Sequence, residues 1–312
     1  MQSIPTLRQE INNILKDTGM THHNFEVILH DDGKIERKVI DDNNRKFISL
    51  TVDGLPMKQL ISIIRESHTC CICDEKFLYL TDLTSHMHKT THNRFFATYG
   101  AILPNIGGFH LCQTMMRSFI KLIWNLDLSE LCKSILLESP KSQFMIEKGT
   151  EFRKCFDVLR TSHEAKLREL AYPFVKWANK TNVDISLDSY HLWFKHYVKS
   201  PTYKLTYEIE KNYSQSLLLF LSSMRANNPT VYSASKKTFG PLLHINNHTT
   251  YSQLDIYSDY LDRNMQAHSP KLFEYLEVRK HPNKTGRPFK SKSYDELHEE
   301  YNKVRHHKKK LT

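Results

Sequence analysis

The stretch SHTCCICDEKFLYLTDLTSHMHKTTHNRFF, Ser67–Phe96, carries three of the chain's six cysteines together with His68, His86, His88 and His92. Cys70-x2-Cys73 is followed after twelve residues by His86, and after five more by His92. This spacing predicts two thiolates on a short hairpin and two imidazoles on one helical face, the tetrahedral shell of a Cys2His2 zinc finger. Phe77 and Leu83 stand where such a unit places its two core residues. A segment of about 25 residues cannot build a core without the ion. The ligand set is therefore Cys70, Cys73, His86 and His92. Cys71 replaces Cys70 only with an unusually tight spacing, and His88 in place of His86 takes Leu83 out of register. Four protein ligands close the shell, so the expected Zn2+ is structural and activates no water.

The helix positions of such a unit that usually meet bases are Tyr79, Asp82 and Ser85. None of them is the Arg or Lys that forks onto guanine. Leu78, Tyr79 and Leu80 instead form an apolar run. Two roles for the finger stay open: contact with nucleic acid, or packing and docking against protein.

Upstream, FEVILH, KIERKVI and KFISLTVDG carry strand signals, with DDGK between the first two as a turn. MKQLISIIRES has helical spacing. Downstream, FFATYGAILPNIGGFH reads as a buried strand and a tight turn. From Leu111 onward apolar residues recur at three- and four-residue spacing, which predicts helices almost throughout. Helices are expected around Ser189–Val198, Tyr207–Arg225, Tyr251–Asn264 and Ser269–Val278. Trp124, Trp177 and Trp193 lie on apolar helical faces and are expected in the core. The organisation is thus an N-terminal helix and β-rich segment (1–66), the finger (67–95), a core strand and helical body (96–283) and a basic tail (284–312).

The 312 residues carry a net charge of +10, which attracts polyanions. The tail alone holds nine Lys/Arg against four Asp/Glu. Its RHHKKK run, with Arg305, Lys308, Lys309 and Lys310, reads as a nuclear localisation signal or a phosphate-contacting arm. Gly286-Arg287-Pro288 matches the core of an AT-hook, a minor-groove element, but the flanking basic triplet is incomplete, and a chance match is the alternative. No apolar stretch approaches the ~18 residues a membrane span needs, and no signal peptide is read at the N-terminus. Cys112, Cys132 and Cys155, dispersed along helical sequence, agree with a reducing compartment.

TVDGLP, then LPNIGGFH, the helical GTEFRKCFDVLRTSHEAKLRE, the long segment from LLLFLSSMRANN to YSDYLD, and DELHEEYNK resemble, in this order, transposon-derived proteins of animal genomes. These descend from DDE transposases with an RNase H-like core. The resemblance covers roughly residues 45–305, with the finger inserted between the first two core segments. It implies an α/β, helix-dominated protein: a small RNase H-like sheet, the inserted finger and a large helical C-terminal body. It places Asp53, at the end of a predicted strand, at the first metal-binding acid of a two-Mg2+ phosphoryl-transfer site. The second acid is missing, because Gly108 stands before Phe109-His110. The third would come from Asp255, Asp259, Glu299 or Glu300. The expectation is a nuclear, catalytically degenerate nucleic-acid-binding protein, with DNA the expected partner ahead of RNA. The alternatives are an active Mg2+-dependent transposase or nuclease using Asp53, and a protein-interaction module acting through the finger.

Overall fold

A computed structural model describes residues 4–17, 25–29, 35–39, 48–52, 54–65, 68–77, 80–92, 94–97, 102–136, 139–268, 270–279, 281–283 and 287–310. The chain divides into two compact units, Met1–Gly107 and Gly108–Thr312.

In the first unit the order is α1 (Ile4–Asp17), β1 (Phe25–Leu29), β2 (Ile35–Val39), β3 (Ile48–Val52), α2 (Gly54–Arg65), β4 (His68–Cys70), β5 (Lys76–Phe77), α3 (Leu80–Thr90), β6 (Arg94–Ala97) and β7 (Ile102–Ile106). Five strands form an antiparallel sheet in the order β2-β1-β6-β4-β5. A separate parallel pair joins β3 to β7, with Val52 opposite Ile106. Parallel strands need a long crossover, and the whole of α2 through β6 provides it. Helix α2 packs on β3 and β7 and buries Met57, Leu60 and Ile61, at i, i+3 and i+4. Helix α1 packs on α2, burying Leu7 and Ile11 one turn apart.

The segment read as a finger is not a detached insertion. Its hairpin, β4 and β5, continues the five-stranded sheet, because β4 pairs with β6 and β6 pairs with β1. Backbone groups on a free hairpin edge attract another strand, and β6 occupies the exposed side of β4. The predicted strands at 25–29, 35–39 and 48–52 are present; the first two belong to the antiparallel sheet that the β4–β5 hairpin also joins, and the third pairs in parallel with β7.

The second unit is helical: α4 (Gly108–Ile123), α5 (Ser129–Leu131), α6 (Pro140–Glu147), α7 (Phe152–Thr181), α8 (Leu187–Tyr197), α9 (Pro201–Ile209), α10 (Gln215–Ala226), α11 (Pro229–Ile245), α12 (Thr249–His268), α13 (Pro270–Arg279) and α14 (Tyr294–Lys310). Helix α4 buries Leu111, Met115, Met116, Phe119 and Ile120, and packs against α10, α11 and α14. Helices α9 and α11 begin as their sequences dictate, with Ser200 or Asn228 as N-cap and Pro at the first turn. Asn182 and Asn227 end α7 and α10 in the left-handed conformation. The helix predicted over 207–225 is broken at Glu210–Ser214 by a π-turn that places buried Glu210 2.7 Å from buried His163. Phe174 and Trp193 form a satellite aromatic cluster, with Trp177 packed against it. Trp124 is only half-buried.

The start of α14 is docked firmly. Both Nη atoms of Arg225 donate to Glu296 at 2.7 Å, and Arg225 also donates to the Ser291 carbonyl. Asp295 accepts from the backbone N–H groups of Phe109 and His110, so it caps the first turn of α4. The stretch expected as a basic tail therefore contains a helix whose acidic first turns are held by the body.

Candidate metal centre

Cys70 ends β4, and the turn at 71–73 carries Cys73 out of the strand. The turn closes on itself: the Cys70 amide donates to the Glu75 carbonyl, and the Asp74 amide donates to the Cys70 carbonyl. Asp74 takes a left-handed φ of 57°, which brings the chain back into β5. The Ile72 amide donates to Cys70 Sγ at 3.4 Å.

His86 projects from the middle of α3. His92 does not share its helical face, because α3 ends at Thr90. Thr91 turns left-handed at φ 57°, and the Thr90 hydroxyl donates to the His86 carbonyl while accepting from the His92 amide. This turn folds His92 back, and it presents Nδ1 where His86 presents Nε2. A five-residue spacing leaves the second histidine off the stripe of the first on a 3.6-residue helix. The helix must stop for both rings to converge.

The four ligand atoms, one each from Cys70, Cys73, His86 and His92, lie within 4.8 Å of one another. The edges are specific: Cys70 Sγ to His92 Nδ1 is 3.6 Å, Cys73 Sγ to His86 Nε2 is 3.6 Å, and His86 Nε2 to His92 Nδ1 is 3.2 Å. A tetrahedral ion with bonds of about 2.3 Å to sulfur and about 2.0–2.1 Å to nitrogen has S···N edges of about 3.6 Å and N···N edges of about 3.3 Å. The group can hold a metal ion and is compatible with Zn2+. Among the described residues it is the one cluster of three or more His, Cys, Asp or Glu arranged in this way. An ion held by all four donors would have a closed shell, with no position left for substrate.

Sequence reasoning missed Glu75. Its Oε2 lies 3.1 Å from His86 Nδ1, which fixes the tautomer that leaves Nε2 for an ion. An acid two residues after the second cysteine was the available signal. Phe77 is buried and its ring lies 4.7 Å from that of His86, as the finger pattern predicts. The side chain of Leu83 lies outside the described residues. His88 is exposed and outside the group, and Cys71 is half-buried and outside it.

Of the base-reading positions, Asp82 and Ser85 are exposed on α3. Tyr79 and its neighbour Leu78 lie outside the described residues, as does Asp53. Three of the other four acids of the resemblance, Asp255, Asp259 and Glu300, have cationic neighbours. Asp255 pairs with buried Lys236 at 3.2 Å, and Asp259 pairs with Lys237 and Arg263. Glu300 pairs with Lys292, and Glu299 faces His110 Nε2 at 3.7 Å. Burial raises the Asp255 carboxyl above the usual range, more than Lys236 lowers it. Arg287 is exposed and its carbonyl accepts from Asn283. Arg305, Lys308, Lys309 and Lys310 occupy the last turns of α14, and their side chains are outside the described residues. Cys112, Cys132 and Cys155 are buried thiols; burial pushes Cys155 up to about 11, so it carries little thiolate.

No helix among the described residues is long and apolar enough to cross a membrane. No protein-family model matches the chain, and neither does any curated protein or solved structure.

Proposed function

We propose that this chain is a nucleic-acid-binding protein, preferring DNA to RNA, whose N-terminal unit is held by a structural Zn2+ ion. The observation that carries the reading is the tetrahedral convergence of Cys70, Cys73, His86 and His92 on a ββα unit. Its net charge of +10 supplies sequence-independent, salt-sensitive affinity for phosphate backbones. Helix α14 adds to it: the acidic first turns are held by Arg225 and by the start of α4, and the basic last turns carry Arg305 and Lys308–Lys310. Such a protein acts in the nucleus.

The chain further reads as a transposase descendant that has lost its chemistry. Strand β3 ends at Val52, so Asp53 follows a strand's C-terminal end, as the resemblance implies. Two features support the loss. Gly108 stands at the second acid position, and Asp255, Asp259 and Glu300 are engaged by cations.

The test is DNA binding as a function of salt, with Mg2+-dependent cleavage assayed in parallel on wild type and Asp53→Ala. Binding that falls steeply with salt, without cleavage, is expected. Cleavage abolished by Asp53→Ala would restore the enzyme reading. Absence of both binding and cleavage would leave protein interaction through the finger as the function.

A further inference from the structure

The joint between α3 and β6 carries strain. Thr91 holds φ at 57°, in the left-handed region, a conformation that β-branched residues rarely adopt. Its amide still donates to the Met87 carbonyl, so it stands just past the helix end, where glycine or asparagine is the usual residue. This chain follows that preference elsewhere: Asn182 follows α7, Asn227 follows α10 and Asn247 stands shortly after α11, with φ of 53°, 50° and 61°. Of the six non-glycine residues with positive φ among the described residues, Thr91 is the one with a β-branched side chain. It also directly precedes His92 of the metal group.

A strained backbone persists where its surroundings over-determine it, and such residues cluster at functional sites. The Thr91 side chain is exposed, so packing does not hold the turn, and its hydroxyl donates to the adjacent Thr90 carbonyl. The constraint comes from both flanks. On one side the Thr90 hydroxyl donates to the His86 carbonyl at 2.7 Å and accepts from the His92 amide at 3.4 Å, which ties together the backbones of the two histidines. On the other side the His92 ring is aimed back at the group, with Nδ1 3.2 Å from His86 Nε2 and 3.6 Å from Cys70 Sγ. A metal ion bound by both rings closes this side of the turn.

We propose that Thr90–His92 is a metal-closed strap. With metal bound, His92 keeps Thr91 in its left-handed turn. When the metal leaves, Thr91 relaxes to an extended conformation, the Thr90 link opens and His92 swings away from Cys70. The strap leads into Arg94–Ala97, which is β6, the middle strand of the five-stranded sheet, so it passes the state of the metal group to that sheet. Strain at Thr91 sets the metal affinity below what the four ligands would give on a relaxed turn, and this makes the ion releasable. The proposal rests on the metal reading above and adds regulation to it.

The test is titration of the full-length, metal-free protein with Co2+, followed by its visible absorption, with Zn2+ affinity then read from displacement of Co2+. Thr91→Asn, which accepts a left-handed φ readily, should raise Zn2+ affinity about 3–10-fold. Thr91→Val, β-branched like the native residue, should give no gain. Thr90→Val, which loses the hydroxyl, should weaken Zn2+ affinity about 3–10-fold, and Thr90→Ser, which keeps it, should match wild type. Hydrogen exchange at the His92 amide should quicken on metal removal in wild type, and less so in Thr91→Asn. Equal affinity in Thr91→Asn and wild type would overturn the strap and leave the metal centre intact. Failure of the wild-type protein to bind Co2+ or Zn2+ would overturn both.

Discussion

Glu75 Oε2 lies 3.1 Å from His86 Nδ1, while the opposite ring nitrogen, Nε2, faces Cys73 Sγ at 3.6 Å. The carboxylate therefore fixes which nitrogen of His86 is free to bind an ion. Outer partners of this kind hold a ligand ring in its tautomer and raise its basicity. Glu75→Ala should weaken Zn2+ affinity by about 10–100-fold, measured by competition with a chromophoric chelator. His88→Ala, outside the ligand group, serves as the control and should change nothing. Equal affinity in Glu75→Ala and wild type would show that the acid is a bystander.

Metal removal should disturb more than the finger. Cys70 ends β4 opposite Phe95 of β6, and His92 lies two residues before β6 begins. An ion bound to both residues clamps β4 to β6, and β6 is the middle strand of five. Chelation is therefore expected to strip hydrogen-exchange protection from β1 and β6 as well as from β4 and β5. Loss confined to residues 68–92 would instead mean that the sheet stands without the ion. Protection in α10 and α11 provides the internal reference.

The acid that the transposase resemblance would place at Gly108 would have to displace the buried Met224 side chain. A Cβ built on Gly108 would come within 2.9 Å of Met224 Sδ, 3.4 Å of Ser293 Cβ and 3.5 Å of His281 Nε2. An Asp at a helix N-terminus normally gains about 0.3–1 kcal/mol, whereas overpacking a core costs about 1–3 kcal/mol. The larger effect decides the sign. Gly108→Asp should destabilise the protein in urea, and by more than Gly108→Ala. A stabilised Gly108→Asp would show that Met224 moves aside at little cost.

Asp295 should make the protein acid-sensitive. Burial alone would push its carboxyl up. Hydrogen bonds from the His110 ring and from the backbone N–H groups of His110 and Phe109 outweigh burial and hold it below the usual range. The unfolded chain then binds the proton more tightly than the folded one. The stabilisation is complete above the ordinary carboxylate value of about 3.9. It is lost as pH falls through that value toward the depressed one. Urea midpoints of wild type should fall between pH 6 and pH 3 more steeply than those of Asp295→Asn. Parallel curves would place the acid sensitivity elsewhere.

Local pattern made much of this protein legible in its sequence. Cys70, Cys73, His86 and His92 follow from spacing alone, because a tetrahedral shell built on a hairpin and a helix tolerates few separations. Strands β1, β2 and β3 and most helices follow from apolar periods of two and 3.6 residues. What sequence could not supply are the relations between residues distant along the chain. The edge that receives the finger hairpin is set by backbone hydrogen bonds between β4 and β6, which leave no mark on side-chain pattern. The convergence of His92 depends on a left-handed Thr91, a conformation that a threonine does not advertise. The cap that Asp295 places on α4 joins residues 185 positions apart. Nor do the π-turns at Trp124–Leu128, Cys132–Leu136 and Glu210–Ser214 have a period of their own in the sequence. Ligand identity was a matter of spacing; where the ligands' elements join the sheet, and which acids are already engaged, was decided by contacts that exist only once the chain is folded.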